Sequence, residues 1–310
     1  MVKELSRKPE TLLLKPDTLW QQAMARTEYA RQTGDLKSIE TEYQLIEQDE
    51  IFFVVRSLSN IARKEKANAQ QKLQEAKTGK CIDPFLPYNK NLFVCDISSS
   101  HLCLLNKFNI VDGHLLIVTR DFEEQEDLIN IHDFAALWSC MQEIDGLAFY
   151  NGGPVAGSSQ RHKHLQLLPL PFVPDLDFLP IQPAIDRVVF QNSLGTIPTF
   201  PFINAIASFD FSNIDNPFTV GKLLVDCYYS LLEKVGFSLL HNSSQQPAAY
   251  NFLATRKWMM IVPRSRNSFQ SIDINSLGFA GSLFVRNETC LELLKQQTPL
   301  KILSAVAYPK

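Results

Sequence analysis

The segment HLCLLNKFNIVDGHLLIVTRDF, residues 101–122, limits the possible folds of this chain most sharply. Two apolar runs of strand length, HLCLL and HLLIVT, stand on either side of Asp112-Gly113. An Asp-Gly pair between apolar runs is a strong short-range hairpin signal, since such turns need residues that tolerate positive φ. Strands that return locally belong to an antiparallel sheet, whereas parallel neighbours need a long crossover. Strand pairs mixed with helices favour an α+β architecture over a doubly wound one.

The remaining pattern fills in around that pair. PDTLWQQAMARTEYARQTG has helical spacing, opened by Pro16 and Asp17 and closed by Gly34. IFFVVRSL reads as a buried strand, and as the one strand within the first eighty residues or so. NIARKEKANAQQKLQEAKTGK is polar and cationic, a solvated helix or an arm whose lysines can reach a polyanion. An amphipathic helix is expected across QEDLINIHDFAALWSCMQEID, then the strand LAFYNGG. A proline-rich crossing segment, residues 171–201, leads to a helix with Pro217 in its first turn. Val220, Leu223, Leu224, Cys227, Tyr228, Leu231 and Leu232 share one of that helix's faces. AAYNFLATRKWMMIVPRSR reads as two strands joined at Thr255, Arg256 and Lys257, with Trp258, Met259 and Met260 in the core. Gly278 and Gly281 read as sites of tight backbone packing.

A chain of 310 residues exceeds one small core, so a large two-lobed unit or two domains is expected. The net charge of −3 argues against a general binder of nucleic acid or membrane surfaces, so any anion site must be local. No apolar run approaches the roughly 20 residues of a spanning helix, and the amino terminus shows no secretory pattern. The six cysteines are scattered, without C-x-x-C, which fits reduced thiols and a cytoplasmic location.

Chemistry concentrates in NGGPVAGSSQRHKHLQLLP, residues 151–169, which holds two of only six histidines. If RHKHLQLL is a strand, His162, His164 and Gln166 project on one face, while Lys163, Leu165 and Leu167 take the other. The preceding Gly152, Gly153, Gly157, Ser158 and Ser159 let backbone approach a ligand closely and offer N–H and O–H donors, which suits a phosphate chain. A neutral imidazole can attack phosphorus to give a phosphoramidate. A glutamine two residues on adds an amide donor for charge developing on phosphoryl oxygens. H-x-H is also a zinc fragment, which would need a third ligand from His101, His114, His132 or His241. A pair of structural histidines at a sheet end is the third reading.

SSQRHKHLQ resembles the histidine-triad superfamily in its H-x-H-x-Q nucleotidyltransferase branch. Four blocks, LLNKFNIVDGHLLIVTRDF, YNGGPVAGSSQRHKHLQLLP, YNFLATRKWMMIVPRS and NSLGFAGSLFVRN, are together similar to the ATP adenylyltransferase family, the diadenosine tetraphosphate (Ap4A) phosphorylases. The resemblance spans nearly the whole chain from residue 83 onward. It implies a histidine-triad-like fold with antiparallel sheets and flanking helices, two-lobed around one cleft. It also implies a catalytic region with a helical amino-terminal part over residues 1–190, and a region over 191–310 completing the same cleft.

By the same resemblance, His164 takes up AMP, supported by His162 and Gln166. Asn151, Gly157, Ser158, Ser159 and Gln160 hold nucleotide and phosphates, with Lys64, Asn106 and Lys107 nearby. Asn275, Ser276 and Leu277 contact substrate, as do Ser282 and Arg286, which stand where the family pattern has methionine and lysine. Read from the residues alone, Asn106 shapes a turn, and Lys107, Arg256 and Arg264 are solvated surface charges. The implied activity is reversible phosphorolysis of Ap4A to ATP and ADP. Mg²⁺ travels with the polyphosphate, no dedicated metal site is expected, and the chain acts as a monomer or homodimer. The alternatives are a dinucleotide hydrolase, disfavoured by Gln166, and a hexose-1-phosphate uridylyltransferase, disfavoured by Lys163 and Leu165 where that family has prolines. A non-catalytic nucleotide-binding protein is the last.

Overall fold

The computed structural model describes residues 10–58, 82–238 and 243–310. The basic segment 60–80, with Lys64, lies outside the described residues, as do Cys81 and His241. The chain runs through α1 (Leu19–Gln32), β1 (Thr41–Gln48), β2 (Ile51–Leu58), β3 (Phe93–Asp96), β4 (His101–Leu105) and β5 (Leu115–Thr119). It continues with α2 (Ile131–Glu143), β6 (Gly146–Gly152), β7 (His164–Pro169), α3 (Gln182–Ile185), β8 (Leu194–Gly195) and β9 (Ala205–Ser208). The rest comprises α4 (Pro217–Lys234), β10 (Tyr250–Ala254), β11 (Trp258–Pro263), β12 (Ser268–Phe269), β13 (Ile272–Asp273), α5 (Ser276–Phe279), β14 (Ser282–Val285), α6 (Glu288–Gln297) and α7 (Pro299–Val306).

Nine strands make one antiparallel sheet in the order β3-β4-β5-β7-β6-β10-β11-β9-β8. Its seam is the β6 and β10 pairing, where Asn151 faces Asn251, so strands from both ends of the chain share one hydrogen-bonded surface. A second sheet, β1-β2-β14, joins an amino-terminal hairpin to a carboxy-terminal strand through the parallel β2 and β14 pairing.

Alternation along β7 separates core from cleft. Leu165 and Leu167 are fully buried with α1, α2 and α4 on one side of the sheet. Each such leucine stabilises the fold by about 1.5–3 kcal/mol. Leu168 and Phe149 lie in the other core, beneath α3 and α5 to α7. Helix α2 begins at Ile131 rather than earlier because Asn130 caps it, its side chain accepting from His132 and Asp133 while Asp133 accepts from Asn130 in return. In α4 the Asn216 side chain caps Phe218 and Thr219 and Pro217 opens the helix, but Leu223 and Cys227 lie at the edge of the buried face rather than within it.

Two expectations need correction. The Asp112-Gly113 hairpin exists as a pairing, with Leu105 opposite Leu115, but its connection is the whole loop 106–114. Gly113 does take a positive φ of 74° and lies against Trp20 of α1, while Asp112 accepts from Arg31 at 2.7 Å, so packing on α1 shapes the loop. The first eighty residues also contain a second strand, β1, missed because TEYQLIEQ is polar and no residue in it is buried. It pairs with β2 through Asp49 and Glu50, both at positive φ, without the glycine that usually announces such a turn.

Candidate active site

His164 opens β7 at the floor of a cleft of about 900 Å³ between the large sheet and the β2/β14 wall. Its backbone N–H donates to Gln125 Oε1 at 2.9 Å, and Gln125 Nε2 donates to the carbonyls of Asn151 and His164. The β6 and β7 ladder ends two pairs earlier, at Phe149 and Gln166. Gln125 thus inserts its carboxamide where the strands part and restores the hydrogen bonds they would have shared. Nothing in the residue spacing singles out Gln125.

The ring is oriented just as firmly. His164 Nδ1 lies 2.8 Å from His162 O, and a carbonyl only accepts, so Nδ1 carries the proton. Nε2 then holds an unshared pair and has no hydrogen-bond partner among the described residues, on the side lining the cleft. Burial pushes the imidazole pKa from 6.5 down to about 4, outweighing the bond to His162. The ring is neutral at ordinary pH.

His162 does not share that role. It is 1% exposed, with Nδ1 2.7 Å from Asp83 Oδ2 and Nε2 2.8 Å from Thr119 O. Phe85 packs against both imidazoles, with centroids 5.6 Å and 5.4 Å away, and Phe122 covers His162. The expected row of three polar side chains facing the cleft is therefore two, His164 and Gln166, with His162 a buried support whose carbonyl sets the tautomer of its neighbour. Both nitrogens of His162 and Nδ1 of His164 are committed to protein oxygens, an arrangement that offers no paired ligands to zinc.

Two carboxamides, Asn151 and Gln166, line the same cleft as His164. Asn151 Oδ1 accepts from Asn251 Nδ2 and Ser276 N, both at 2.9 Å, which leaves the Asn151 NH₂ to serve the cleft it lines. Gln166 Oε1 pairs with His114 Nε2 at 3.0 Å, and Asn106 Nδ2 lies 3.3 Å from His114 Nδ1. In that chain Asn106 donates to His114 and His114 donates to Gln166, so the Gln166 NH₂ is aimed by the relay. Asn106 also accepts from Phe108 N at 3.1 Å, so it shapes a turn and serves the cleft at once.

Gly157, Ser158, Ser159, Gln160, Lys107, Asn275, Leu277, Ser282 and Arg286 line the same cleft. Gly157 has φ of 93°, and a Cβ there would meet Ile274 O at 2.8 Å, so glycine lets loop 153–160 close against Asn275. Arg286 is ion-paired with Asp273 at the rim. Ser276, expected to touch substrate, is fully buried and instead holds Asn151 from behind. Arg264, read as a surface charge, is 1% exposed. Arg256 donates to Met141 O and Gln142 O. Trp258, Met259 and Met260 are core. A Cβ at Gly281 would meet Pro180 at 2.6 Å, whereas one at Gly278 would meet the side chains of Ile274, Leu283 and Leu303 rather than backbone.

Comparison with known proteins places the chain. The Ap4A phosphorylase N-terminal domain matches residues 9–187 and the ATP adenylyltransferase C-terminal domain matches residues 198–309. Diadenosine 5',5'''-P1,P4-tetraphosphate phosphorylase 2 of Saccharomyces cerevisiae is 30% identical over 248 residues, 71% of this chain and 74% of that protein. The crystal structure of yeast Ap4A phosphorylase Apa2 in complex with AMP is 25% identical with a TM-score of 0.76, covering 96% of this chain and 98% of that one. The same yeast protein in complex with Ap4A gives a TM-score of 0.76 at 24% identity, with 96% and 99% covered, a likeness of fold. With both domains matched in order around a cleft built on His164, the chain belongs to the Ap4A phosphorylase family of ATP adenylyltransferases.

Proposed function

We propose that this protein cleaves Ap4A with inorganic phosphate, reversibly, to ATP and ADP through an adenylylated His164. The observation that carries the reading is the His164 ring, with Nδ1–H tied to the His162 carbonyl and Nε2 unshared in the cleft. Nε2 attacks the α-phosphorus of one adenylyl end. The P–N bond forms as the bond to the bridging oxygen breaks, and ATP leaves with that electron pair. An oxygen of inorganic phosphate then attacks the adduct, the P–N bond breaks, Nε2 regains its pair and ADP departs. The NH₂ groups of Gln166 and Asn151 stabilise charge on the transferring phosphoryl oxygens without reorganising. Gly157, Ser158, Ser159, Gln160, Asn275 and Lys107 hold the polyphosphate, and Lys64 is a further phosphate ligand. The regions 1–190 and 191–310 complete one cleft across the shared sheet. Mg²⁺ enters with the polyphosphate as part of the substrate. The enzyme works as a monomer or homodimer in the cytoplasm, a setting that suits the five free cysteines among the described residues. Among those residues no helix is long and apolar enough to cross a membrane.

Incubation with Ap4A, with and without phosphate, followed by chromatography tests the reading. Equal ATP and ADP, formed only with phosphate, is the expected result. AMP formed without phosphate would instead indicate a hydrolase, and unchanged Ap4A a binding protein.

Two further results are expected from the site. Because burial holds the His164 pKa near 4, the rate of adduct formation should stay flat from pH 8 down to about 5. A histidine with an ordinary pKa of about 6.5 would lose roughly tenfold by pH 5.5. Single-turnover rates across that range decide it, and an acid limb centred near 6.5 would refute the buried neutral ring. His114→Phe removes the donor that aims Gln166, so kcat should fall about 10- to 100-fold with KM for Ap4A nearly unchanged. A change confined to KM would show that the relay serves binding alone.

A further inference from the structure

Behind the wall where loop 153–160 meets residues 273–277 lies Arg264, whose guanidinium has no carboxylate within ion-pair reach among the described residues. Its acceptors are all neutral. Nε donates to Val306 O at 3.1 Å, Nη1 to Ala156 O at 3.3 Å and to Asn251 Oδ1, and Nη2 to Arg266 O at 2.8 Å and Ile274 O at 3.0 Å. Phe279 lies under the guanidinium with its ring centroid 5.3 Å away. Burial pushes the pKa down to about 9, which still leaves the group charged at neutral pH.

A buried cation without an anion is costly, and proteins normally pair such groups. The hydrogen bonds of Arg264 satisfy its donors but leave its net charge standing. They also direct that charge toward the cleft. A peptide is planar and trans, so with the Ile274 carbonyl turned to Arg264, the Asn275 N–H of the same peptide points away from it. Asn275 lines the cleft. Asn251, held by Arg264, in turn fixes the Asn151 carboxamide through its 2.9 Å bond. Both walls of the loop junction are thus polarised from behind by one positive charge.

We propose that Arg264 is the buried counter-charge of the bound polyphosphate, a cation behind the cleft wall whose available anion is the ligand itself. The proposal rests on reading the cleft as a polyphosphate site. It gives Arg264 a positioning and specificity role, by which the site favours ligands with several negative charges over the bare nucleoside. No bond of the reaction involves it.

The test uses two probes on the full chain: tripolyphosphate, which carries charge without a base, and adenosine, which carries a base without charge. Calorimetric binding of both is compared in wild type, Arg264→Gln and Arg264→Lys. One unit charge acting through the cleft wall, at an effective dielectric of about 20, corresponds to roughly tenfold or more in affinity. Arg264→Gln should therefore bind tripolyphosphate about tenfold more weakly or worse and adenosine within about twofold of wild type. Arg264→Lys, which keeps charge and loses hydrogen bonds, should bind both within about threefold. Loss of both probes in the same proportion, undiminished tripolyphosphate binding by Arg264→Gln, or a Lys variant as weak as Gln would overturn the proposal in favour of a structural staple. If Arg264→Gln does not fold, Arg264→Met carries the neutral arm, and if neither folds the Lys variant alone decides. Wild type that fails to bind tripolyphosphate removes the polyphosphate reading and this proposal together. Wild type that binds it but leaves Ap4A intact removes the reaction and leaves the role of Arg264 still measurable.

Discussion

Replacing His164 by alanine should eliminate the covalent adenylyl adduct and lower phosphorolysis of Ap4A by about 10⁴-fold or more, the usual scale for loss of a nucleophile that works as part of a unit. The effect should be chemical rather than structural. Among the described residues the side chain makes one hydrogen bond, to His162 O, and the backbone at this position is held independently by Gln125. The variant should therefore melt within a few degrees of wild type and still bind Ap4A. The adduct would be sought by intact mass after mixing with Ap4A in the absence of phosphate. An adduct surviving in His164→Ala would move the nucleophile elsewhere, and phosphorolysis within tenfold of wild type would rule out a covalent route through this ring. His162→Asn offers a contrast, since the backbone carbonyl that sets the His164 tautomer remains. A large loss there would come from disturbed packing around Asp83 and Phe85.

The contrast between these neighbours shows what the sequence made legible. Period-two alternation placed Leu165 and Leu167 in a core and His164 and Gln166 at a cleft, because inside and outside on a strand differ by one residue. It also put His162 in that row, which failed because the chain before β7 is covered by Asp83, Phe85 and Phe122, which come from distant or irregular segments. The four family-like blocks brought Asn106, Lys107, Asn151, Gly157 and Asn275 to one cleft. What stayed hidden was the support. Gln125 lies in a loop, His114 was read only as a candidate metal ligand, and Arg264 looks in one dimension like any surface arginine. Their roles come from contacts 39, 52 and 108 residues apart, which no local window contains. The missed strand β1 has the same origin, since a polar edge strand is recognisable mainly by the partner it pairs with.

Breaking the ion pair behind β7 should cost about 3–5 kcal/mol, the range for removing one partner of a buried pair. Lys163, between the two histidines, is buried on the opposite face and its Nζ lies 2.6 Å from Asp133 Oδ2 and 2.8 Å from Leu128 O, with Glu123 at 3.4 Å. Asp133 also takes His101 Nε2 at 3.0 Å. This geometry works as a register lock, because a slip by one residue would carry Lys163 into the cleft and His164 into the core. Burial opposes both charges. Even so, Lys163 and His101 hold the Asp133 carboxyl below its ordinary 3.8, and Asp133 and Glu123 hold the Lys163 ammonium above its ordinary 10.5. The depressed carboxyl contributes stability that is full above about pH 4 and is lost as pH falls further. The raised ammonium contributes stability that is full below about pH 10 and is lost as pH rises through its folded value. Lys163→Met and Asp133→Asn should each lower the melting temperature by about 5–10 °C at neutral pH. The double variant should lose at least about 2 kcal/mol less than the sum, since neither charge is then left alone. Additive losses would mean that the two side chains stabilise the fold separately, and single losses under about 1 kcal/mol would mean that water reaches the pair.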